Sequence, residues 1–167
     1  LEGLVMGTRS GDLDPSLHQF LCKKLNISIN QITQILNKSS GLLGLSGISN
    51  DMRSLLEASE QGNERATIAI EVFCFRISRL IGGLATSLDQ IDALIFTGGI
   101  GENSAAIRQR VLDNLSIFGF NVDKNANKTH GKQTNGLISS KKTIPAMVVP
   151  TNEEWMIASD CIQLLKS

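Results

Sequence analysis

The stretch that decides the fold is Ala93-Leu94-Ile95-Phe96-Thr97-Gly98-Gly99-Ile100-Gly101-Glu102-Asn103-Ser104. Apolar and β-branched residues end in a glycine-rich turn, and the helical pattern of residues 105–115 follows without a linker. Gly98, Gly99 and Gly101 are free to take positive φ and to let a ligand approach the backbone. The first amides of a helix carry partial positive charge, so this layout predicts an anion site, with a nucleotide as the first candidate.

The glycine spacing alone leaves other interpretations open. Gly99-x-Gly101-x-x-Ser104 lacks the last glycine of the dinucleotide fingerprint, and the Gly-Lys-Ser/Thr of a P-loop is also missing. A tight strand-to-helix turn without any ligand explains the glycines equally well. A dinucleotide-dependent oxidoreductase would also need an acidic residue about 20 positions past the turn. Asp123 lies near that distance.

Composition narrows the class of protein. The chain has 167 residues, of which 41% are hydrophobic and 19% charged, as expected for about one globular domain. Sixteen basic and sixteen acidic residues balance, which argues against nucleic acid as a partner. The first residues lack a basic segment followed by an apolar one, and no apolar run approaches the roughly 20 residues of a membrane span, so we expect a cytoplasmic protein without a membrane partner. Three scattered cysteines and two histidines predict reduced thiols and no zinc site.

Capping signals predict several helices. Asp14-Pro15 starts one amphipathic helix, Ser28 a second and Asp51 a third, and His18 is expected on the solvated side of the first. Residues 64–88 form the longest predicted helix, with an apolar face wide enough to be largely buried or to lie at a subunit contact. That face comprises Ile68, Val72, Phe75, Ile77, Leu80, Ile81, Leu84 and Leu88.

The segments between these helices predict loops and strands. Residues 41–50 are rich in small side chains and residues 123–136 in polar ones, so both are expected to be loops. The apolar runs 117–120 and 144–149 predict short strands. In the helix of residues 105–115, the expected buried residues are Ile107, Val111, Leu112 and Leu115, with Arg108 and Arg110 on other faces.

A second strand-to-helix junction follows the run 144–149. Thr151-x-x-Glu154 predicts a capping box, in which the threonine and glutamate side chains bond the first amides of the last helix. Glu153 then remains free at the positive end of that helix, where a carboxylate can hold a hydrated Mg²⁺. A surface acid that only complements the helix dipole is the alternative.

Four motifs together point to one family. They are Gly-Leu-Val-Met-Gly-Thr-Arg-Ser-Gly-Asp-Leu-Asp-Pro at 3–15, Ser-Gly-Ile-Ser-Asn-Asp-Met-Arg at 46–53, Phe-Thr-Gly-Gly-Ile-Gly-Glu-Asn-Ser at 96–104 and Pro-Thr-Asn-Glu-Glu at 150–154. In this order and spacing, over nearly the whole chain, they resemble the acetate kinase family. The resemblance implies an α/β, actin-like and sugar-kinase-like (ribonuclease H-like) domain, with helices packed on a mixed sheet. It also implies that residues 1–167 are the C-terminal nucleotide-binding domain. The first residues, Leu1-Glu2-Gly3, lack an initiator Met, and we expect that the N-terminal domain is absent.

The resemblance also implies an activity and roles for individual residues. The family transfers a phosphoryl group reversibly from ATP to acetate, giving ADP and acetyl phosphate, with Mg²⁺. By similarity, Arg9 contacts the acetate and the transferring phosphoryl group, and Glu153 is associated with Mg²⁺. Asp51, Met52 and Arg53 match a segment that lines the adenosine pocket. The nucleotide loop is matched by Gly99, Ile100, Gly101, Glu102 and Asn103.

The resemblance leaves some functional questions open. The family usually forms homodimers through this domain, and it places further catalytic residues in the N-terminal part. We therefore expect the isolated chain to be inactive. Propionate kinase and a non-catalytic nucleotide-binding or dimerisation module of the actin-like superfamily remain alternatives. The oxidoreductase interpretation explains neither Arg9 nor the Asp51-Met52-Arg53 segment and is set aside.

Overall fold

The computed structural model describes residues 3–166. Leu1, Glu2 and Ser167 lie outside the described residues, so the expectation based on the first residues of the chain is not addressed. The elements are α1 Leu17–Leu25, α2 Ile29–Lys38, α3 Gly41–Ser46, α4 Met52–Glu60, α5 Glu64–Ala85, β1 Leu94–Phe96, α6 Gly98–Asn103, α7 Ala105–Asn114, a 3₁₀ turn Ser116–Phe118, α8 Lys124–Lys128, β2 Ala146–Val148 and α9 Glu153–Lys166.

The chain divides into two compact units, each with its own buried residues. The first unit comprises Leu1–Gln90 and Arg110–Ile117, and the second comprises Ile91–Gln109 and Phe118–Ser167. In the first, α5 packs against α3 and α4. Its buried apolar residues include Ile32, Leu42, Leu55, Ile70, Phe73, Val111 and Leu112. Those of the second unit include Ile107, Phe120, Ile138, Ala146 and Val148.

Side-chain caps fix the starts of the first unit's helices. Ser28 and Gln31 form a reciprocal capping box at α2, and Asp51 accepts hydrogen bonds from the first amides of α4, as its position predicts. Asn63 caps α5 through the amide of Ala66 at 3.0 Å. The first helix begins later than predicted, at Leu17, because the Asp14 carboxylate accepts from the Ser16 amide in a turn that precedes the helix.

The apolar face predicted on the long helix α5 is not the one buried within this chain, and its place at a subunit contact stays a prediction. Its buried residues are Ala66, Ala69, Ile70, Phe73, Cys74 and Ser78, at helical spacing. On the predicted face, the side chains of Ile68, Phe75 and Leu84 are exposed in this chain. Ala66 and Ala69 on the buried side leave room for close packing, and Ile70 and Phe73 on the same side fill the core.

The sheet of the second unit is small and sits where the sequence predicts it. Strands β1 and β2 run parallel, with Ile95 opposite Met147. Antiparallel bridges join Val122 to Ser139 and Leu137 to Met147, so the pairing is mixed. Beyond the strands, the Val149 amide donates to the Phe96 carbonyl at 2.9 Å. This bond brings the carboxyl ends of the two strands together and positions the residues that follow them.

Three local predictions were wrong. The expected strand at 117–120 is replaced by the 3₁₀ turn Ser116–Phe118, which is followed by Gly119 at a φ of 84°. The expected loop at 123–136 contains α8, because Asp123 caps the amides of residues 125 and 126. The expected loop at 41–50 contains α3. In each case a short helix replaces a loop or strand, since a side-chain cap or a tertiary contact outweighs the local composition.

Arg108 also departs from its predicted place. Its side chain is 0% exposed, and burial lowers the pKa of its guanidinium. Nη1 donates to the carbonyls of Gly101 (2.7 Å) and Glu102 (2.9 Å), while Nε and Nη2 donate to the side-chain and backbone oxygens of Asn127 (2.8 Å each). A buried cation needs such partners because desolvation is costly. Arg108 therefore ties α6 and α7 to α8.

We predict that Arg108→Met destabilises the protein severely. The apolar side chain leaves several buried oxygens without a donor, so the free energy of unfolding should fall by roughly 3 kcal/mol or more. Arg110→Met, two positions further along α7, is the matched control. The Nη1 atom of Arg110 is buried without a hydrogen-bond partner in the described part of the chain, so its loss should change stability by less than about 1 kcal/mol. Urea unfolding of both variants checks this, and equal losses would contradict it.

Candidate functional site

The junction between β1 and α6 is the centre of the site in the second unit. Thr97 is extended and Gly98 has a φ of 71°, so the chain turns into α6 directly after the strand. Among the described residues, Gly98 is the only one of the three turn glycines with positive φ. A Cβ on Gly98 or Gly99 would meet nothing within 4 Å, whereas one on Gly101 would lie 3.4 Å from the Phe96 backbone. Position 101 thus lies in ordinary van der Waals contact with β1, whereas Gly98 and Gly99 leave open space for a ligand.

The Glu102 carboxylate holds this junction together by accepting hydrogen bonds. Its Oε1 accepts from the Gly98 amide, the Thr151 amide and the Thr151 hydroxyl, each at 2.9 Å. The bonds from Thr151, followed by the one from Gly98, lower the pKa of the Glu102 carboxyl. Glu102 therefore joins the start of α6 to the residue after β2.

The predicted capping box is wrong because Thr151 is used elsewhere. Its hydroxyl donates a hydrogen bond to the Glu102 carboxylate, and the hydroxyl oxygen accepts one from the Gly98 amide at 2.9 Å. The Thr97 hydroxyl lies 2.6 Å from the Thr151 hydroxyl and donates to it, since the Thr151 proton is already engaged. The last helix starts at Glu153, with the Asn152 carbonyl accepting from Trp155 and Met156.

The remaining residues of the glycine segment lie around α6. The Asn103 side chain donates to the Gly99 carbonyl at 2.9 Å and is itself exposed. Ile100 is half-buried, and its carbonyl accepts from the Ser104 amide. The segment is thus an ordered short helix rather than an open loop.

The start of α4 holds the second predicted group, in the first unit. Asp51 accepts from the Arg53 amide at 2.8 Å and pairs with the Arg53 guanidinium at 2.9 Å. These interactions, led by the side-chain bond, lower the pKa of Asp51 to about 2. The Arg53 side chain is 88% exposed, whereas Met52 is 5% exposed and lies in the core. Arg53 can therefore present a planar surface to a ligand, while the Met52 side chain faces inward.

The Arg9 loop is fixed by its backbone. The Met6 amide donates to the Arg9 carbonyl, and the Ser10 amide to that of Leu36. Gly41 (φ 60°) packs so tightly here that a Cβ would lie 2.2 Å from the Met6 carbonyl oxygen. The loop is thus held on α2 and α3.

The Arg9 side chain is left without an internal partner. Within residues 3–166 its guanidinium makes no hydrogen bond or ion pair. The acidic residues that follow it in the loop, Asp12 and Asp14, do not orient it, because Asp12 pairs with Arg76 at 2.7 Å and the Asp14 carboxylate accepts from the Ser16 amide. Arg9 lines a cavity of about 170 Å³ whose other walls are Leu4, Met6, Ser10, Gly11, Leu13, His18, Thr33, Leu36 and Asn37. This lining contains no carboxylate, so the cavity suits an anion.

Glu153 lies in the exposed first turn of α9. Its carboxylate makes no hydrogen bond or ion pair with the described residues, in which no cluster of three or more His, Cys, Asp or Glu could hold a metal. One or two carboxylates completed by water and phosphate oxygens are a common Mg²⁺ donor set. Glu153, with Glu154 beside it, fits that kind of site.

Comparison with known proteins identifies the family. The family model described as "Acetokinase family" matches residues 1–159. The chain belongs to the acetokinase family. An acetate kinase of Stutzerimonas stutzeri is 53% identical over 99% of this chain and 42% of its own length. The chain thus spans about 42% of the length of that curated relative.

Solved structures of acetokinases confirm the fold class. A propionate kinase from Francisella tularensis gives a TM-score of 0.86 at 43% identity, covering 94% of this chain and 40% of the other. An acetate kinase from Porphyromonas gingivalis gives 0.85 at 40% identity, covering 98% and 41%. The actin-like fold expected from the motifs is therefore confirmed. Within the described residues of this acetokinase chain, none of the helices has the length and apolar character to cross a membrane.

Two features of the candidate site were not found from the sequence. The Glu102–Thr151 contact joins residues 49 positions apart, so no local pattern predicts it. His18, which was expected at the surface, is half-buried and lines the Arg9 cavity, a neighbourhood that the sequence analysis did not predict. Its position one turn after Asp14-Pro15 was the available signal, because the helix start is continuous with the Arg9 loop.

We predict that Glu102 stabilises the protein in a pH-dependent way. A carboxyl whose pKa is lowered from the usual 4.5 stabilises the folded state above that value, and the contribution is lost as the pH falls through the lowered pKa. The gap in unfolding free energy between wild type and Glu102→Gln should be largest near pH 7 and shrink as the pH falls below 4.5. Glu154→Gln is the control and should show a small gap throughout. A Glu102→Gln gap that stays constant with pH would contradict this role.

Proposed function

We propose that this chain is the nucleotide-binding part of a carboxylate kinase that transfers a phosphoryl group reversibly between ATP and acetate. Family membership supports the reaction class, and the unpaired Arg9 guanidinium in an acid-free cavity is the observation that carries the proposal. The proposal assigns residues 1–167 to the C-terminal domain of such an enzyme. Propionate as the acyl acceptor is an alternative, because a propionate kinase is among the similar structures.

Arg9 is the proposed catalytic residue of this chain. A guanidinium forks onto two oxygens of a phosphoryl or carboxylate group, which a lysine ammonium does not do. In phosphoryl transfer, charge spreads over the equatorial oxygens, and a fixed cation stabilises it most where water is excluded. The backbone bonds that hold the Arg9 loop on α2 and α3 support this role, because they position the guanidinium before the substrate arrives.

The nucleotide is the proposed ligand of two further segments. In the second unit, the open space at Gly98 and Gly99 suits close approach of phosphates or the adenosine to the backbone, with Ile100, Gly101, Glu102 and Asn103 shaping α6. In the first unit, the exposed Arg53 offers a planar surface to the adenine, and Asp51 and Met52 fix the helix turn that carries it. Glu102 acts by ordering the segment, since its carboxylate is engaged internally.

Mg²⁺ is the proposed metal, held by Glu153 directly or through water. When bound, it would neutralise negative charge on the nucleotide phosphates. The exposed carboxylate at the start of α9 supports this assignment, since its donor set fits a hydrated cation. ATP and ADP are the proposed nucleotides.

The proposed protein partners are an N-terminal domain of the same enzyme and a second copy of this chain. The chain covers about 42% of the length of its acetate kinase relative, which supports the first. The exposed apolar side chains of Ile68, Phe75 and Leu84 on α5 support the second. A cytoplasmic location is proposed with them.

We predict that Arg9→Ala strongly slows phosphoryl transfer without weakening ADP binding. To test this, the variant chain would be joined to the N-terminal region of the Stutzerimonas stutzeri acetate kinase, and the joined protein would be assayed for acyl phosphate formation. The kcat should fall by about 10²- to 10³-fold, because Arg9 acts on the transferring group and not on the base. Arg9→Lys should lose most of the activity as well.

The control for Arg9 is Lys38→Ala, which removes an exposed cation at the end of α2. It should leave kcat and KM unchanged. Calorimetry that shows loss of ADP binding in Arg9→Ala, or a kcat within a few-fold of wild type, would contradict the proposed role.

We also predict that the 167-residue chain alone forms no acyl phosphate. The resemblance implies that further catalytic residues lie in the N-terminal part, so this chain supplies only some of the groups that phosphoryl transfer needs. The assay of acyl phosphate formation should give only the background rate with the chain alone. It should give a measurable rate once the chain is joined to the N-terminal region. A rate near that of full-length acetate kinases from the chain alone would contradict the assignment. ADP binding without activity in the joined protein would favour the non-catalytic module instead.

A further inference from the structure

The guanidinium of Arg108 has one partner that differs chemically from the others. Arginine carries five N–H donors and no acceptor. Four of these donors meet oxygen atoms, at Gly101, Glu102 and the two oxygens of Asn127, and the fifth, on Nη2, lies 3.1 Å from Nδ1 of His130. Every donor of the buried side chain is therefore engaged.

This contact fixes the chemical state of His130. Arginine stays protonated in proteins, so its Nη2 can only donate. Nδ1 of His130 must then accept with its lone pair, which leaves the ring proton on Nε2 and the imidazole neutral. No carboxylate among the described residues bonds either side chain. An imidazolium at this place would set two cations against each other without a counter-charge.

The contact also has a structural consequence for α6. Nη1 of Arg108 holds the carbonyls of Gly101 and Glu102, in the last turn of that helix. At the other end, Glu102 and Thr151 hold the Gly98 amide. The Arg108 guanidinium thus holds one end of the glycine-rich helix, and His130 is one of the groups that set the orientation of this guanidinium.

We propose that His130, as the neutral Nε2–H tautomer, is a positioning residue for the glycine-rich helix α6 and thereby for nucleotide binding. The inference rests on the proposed function, because it takes α6 as a nucleotide contact. His130 itself touches no ligand. His130 accepts the fifth hydrogen bond of Arg108, and Arg108 in turn bonds the carbonyls in the last turn of α6. The backbone of His130 has a φ of 55°, so the chain adopts a strained turn to bring this side chain to Arg108.

The first test reads the tautomer directly. The chain contains two histidines, so ¹⁵N ring spectra give two sets of signals, and His130→Asn assigns them. At neutral pH we expect His130 to show a protonated Nε2 and an unprotonated Nδ1. A dominant Nδ1–H tautomer, or an imidazolium, would overturn the proposal, because neither accepts a bond from Arg108.

The second test separates positioning from stability. In His130→Asn, the amide oxygen takes the place of Nδ1, and asparagine tolerates positive φ better than most residues. ADP affinity should therefore stay within about twofold of wild type. His130→Ala removes the acceptor and should weaken ADP binding about fivefold, the typical effect of one lost hydrogen bond.

The matched control is Asn135→Ala in the segment after α8. Asn135 also has positive φ, at 49°, but it is exposed and makes no side-chain hydrogen bond within the described residues. Its truncation should leave ADP binding unchanged. Equal affinities for wild type, His130→Ala and His130→Asn would overturn the proposal, as would equal losses in both His130 variants.

Amide hydrogen exchange distinguishes failure of this inference from failure of the proposed function. If His130 positions α6, the amides of residues 101–104 exchange faster in His130→Ala and at the wild-type rate in His130→Asn, whether or not a nucleotide binds. Wild-type protein that binds no ADP would overturn the nucleotide assignment, and this exchange pattern would still support His130 as the residue that positions α6. Unchanged exchange in His130→Ala would overturn the positioning role.

Discussion

The second unit depends on one buried cation. Arg108 has no exposed surface, and its charge is balanced by carbonyl and amide oxygens and one imidazole nitrogen, without a bonded carboxylate. Such an arrangement stabilises the fold only if every donor is satisfied, because an unmet donor in the interior costs as much as a good bond contributes. The geometry of α6, α7 and α8 follows from this requirement.

The same requirement makes the glycine segment a rigid element. Its carbonyl end is held by Arg108, and its amide end by Glu102 and Thr151 at the carboxyl ends of the two strands. Gly98 provides the turn, and Gly99 leaves its outer side free. The hydrogen bonds at both ends of α6 order its backbone before a ligand arrives, and the open space at Gly99 leaves room for that ligand. Binding then loses less free energy to ordering the backbone. The Arg9 loop of the first unit follows the same rule, since its backbone is fixed and its side chain is unpartnered.

Features that depend on local sequence patterns were predicted correctly. The predictions failed where a residue far away in the sequence determines the position of a side chain. The strand at 93–96, the cap at Asp51 and the family motifs were correctly inferred, because each is contained in a few adjacent residues. Arg108 was misplaced because a charged residue in a helix is normally exposed. Its spacing of three and four residues from Val111 and Leu112 was the signal that it shares their face. The capping box at Thr151 failed because the hydroxyl bonds Glu102, which no local rule reveals.

Binding of Mg·ADP tests the central claim, that this chain is the nucleotide-binding part of an acetokinase, most directly. The measurement is a titration followed by amide chemical shifts, with Mg·GDP and Mg²⁺ alone as references. We expect saturable shifts at residues 51–53 and 98–103, with smaller changes around Glu153 that require the metal. Saturable binding with shifts confined to other parts of the chain, or no binding at millimolar Mg·ADP, would contradict it.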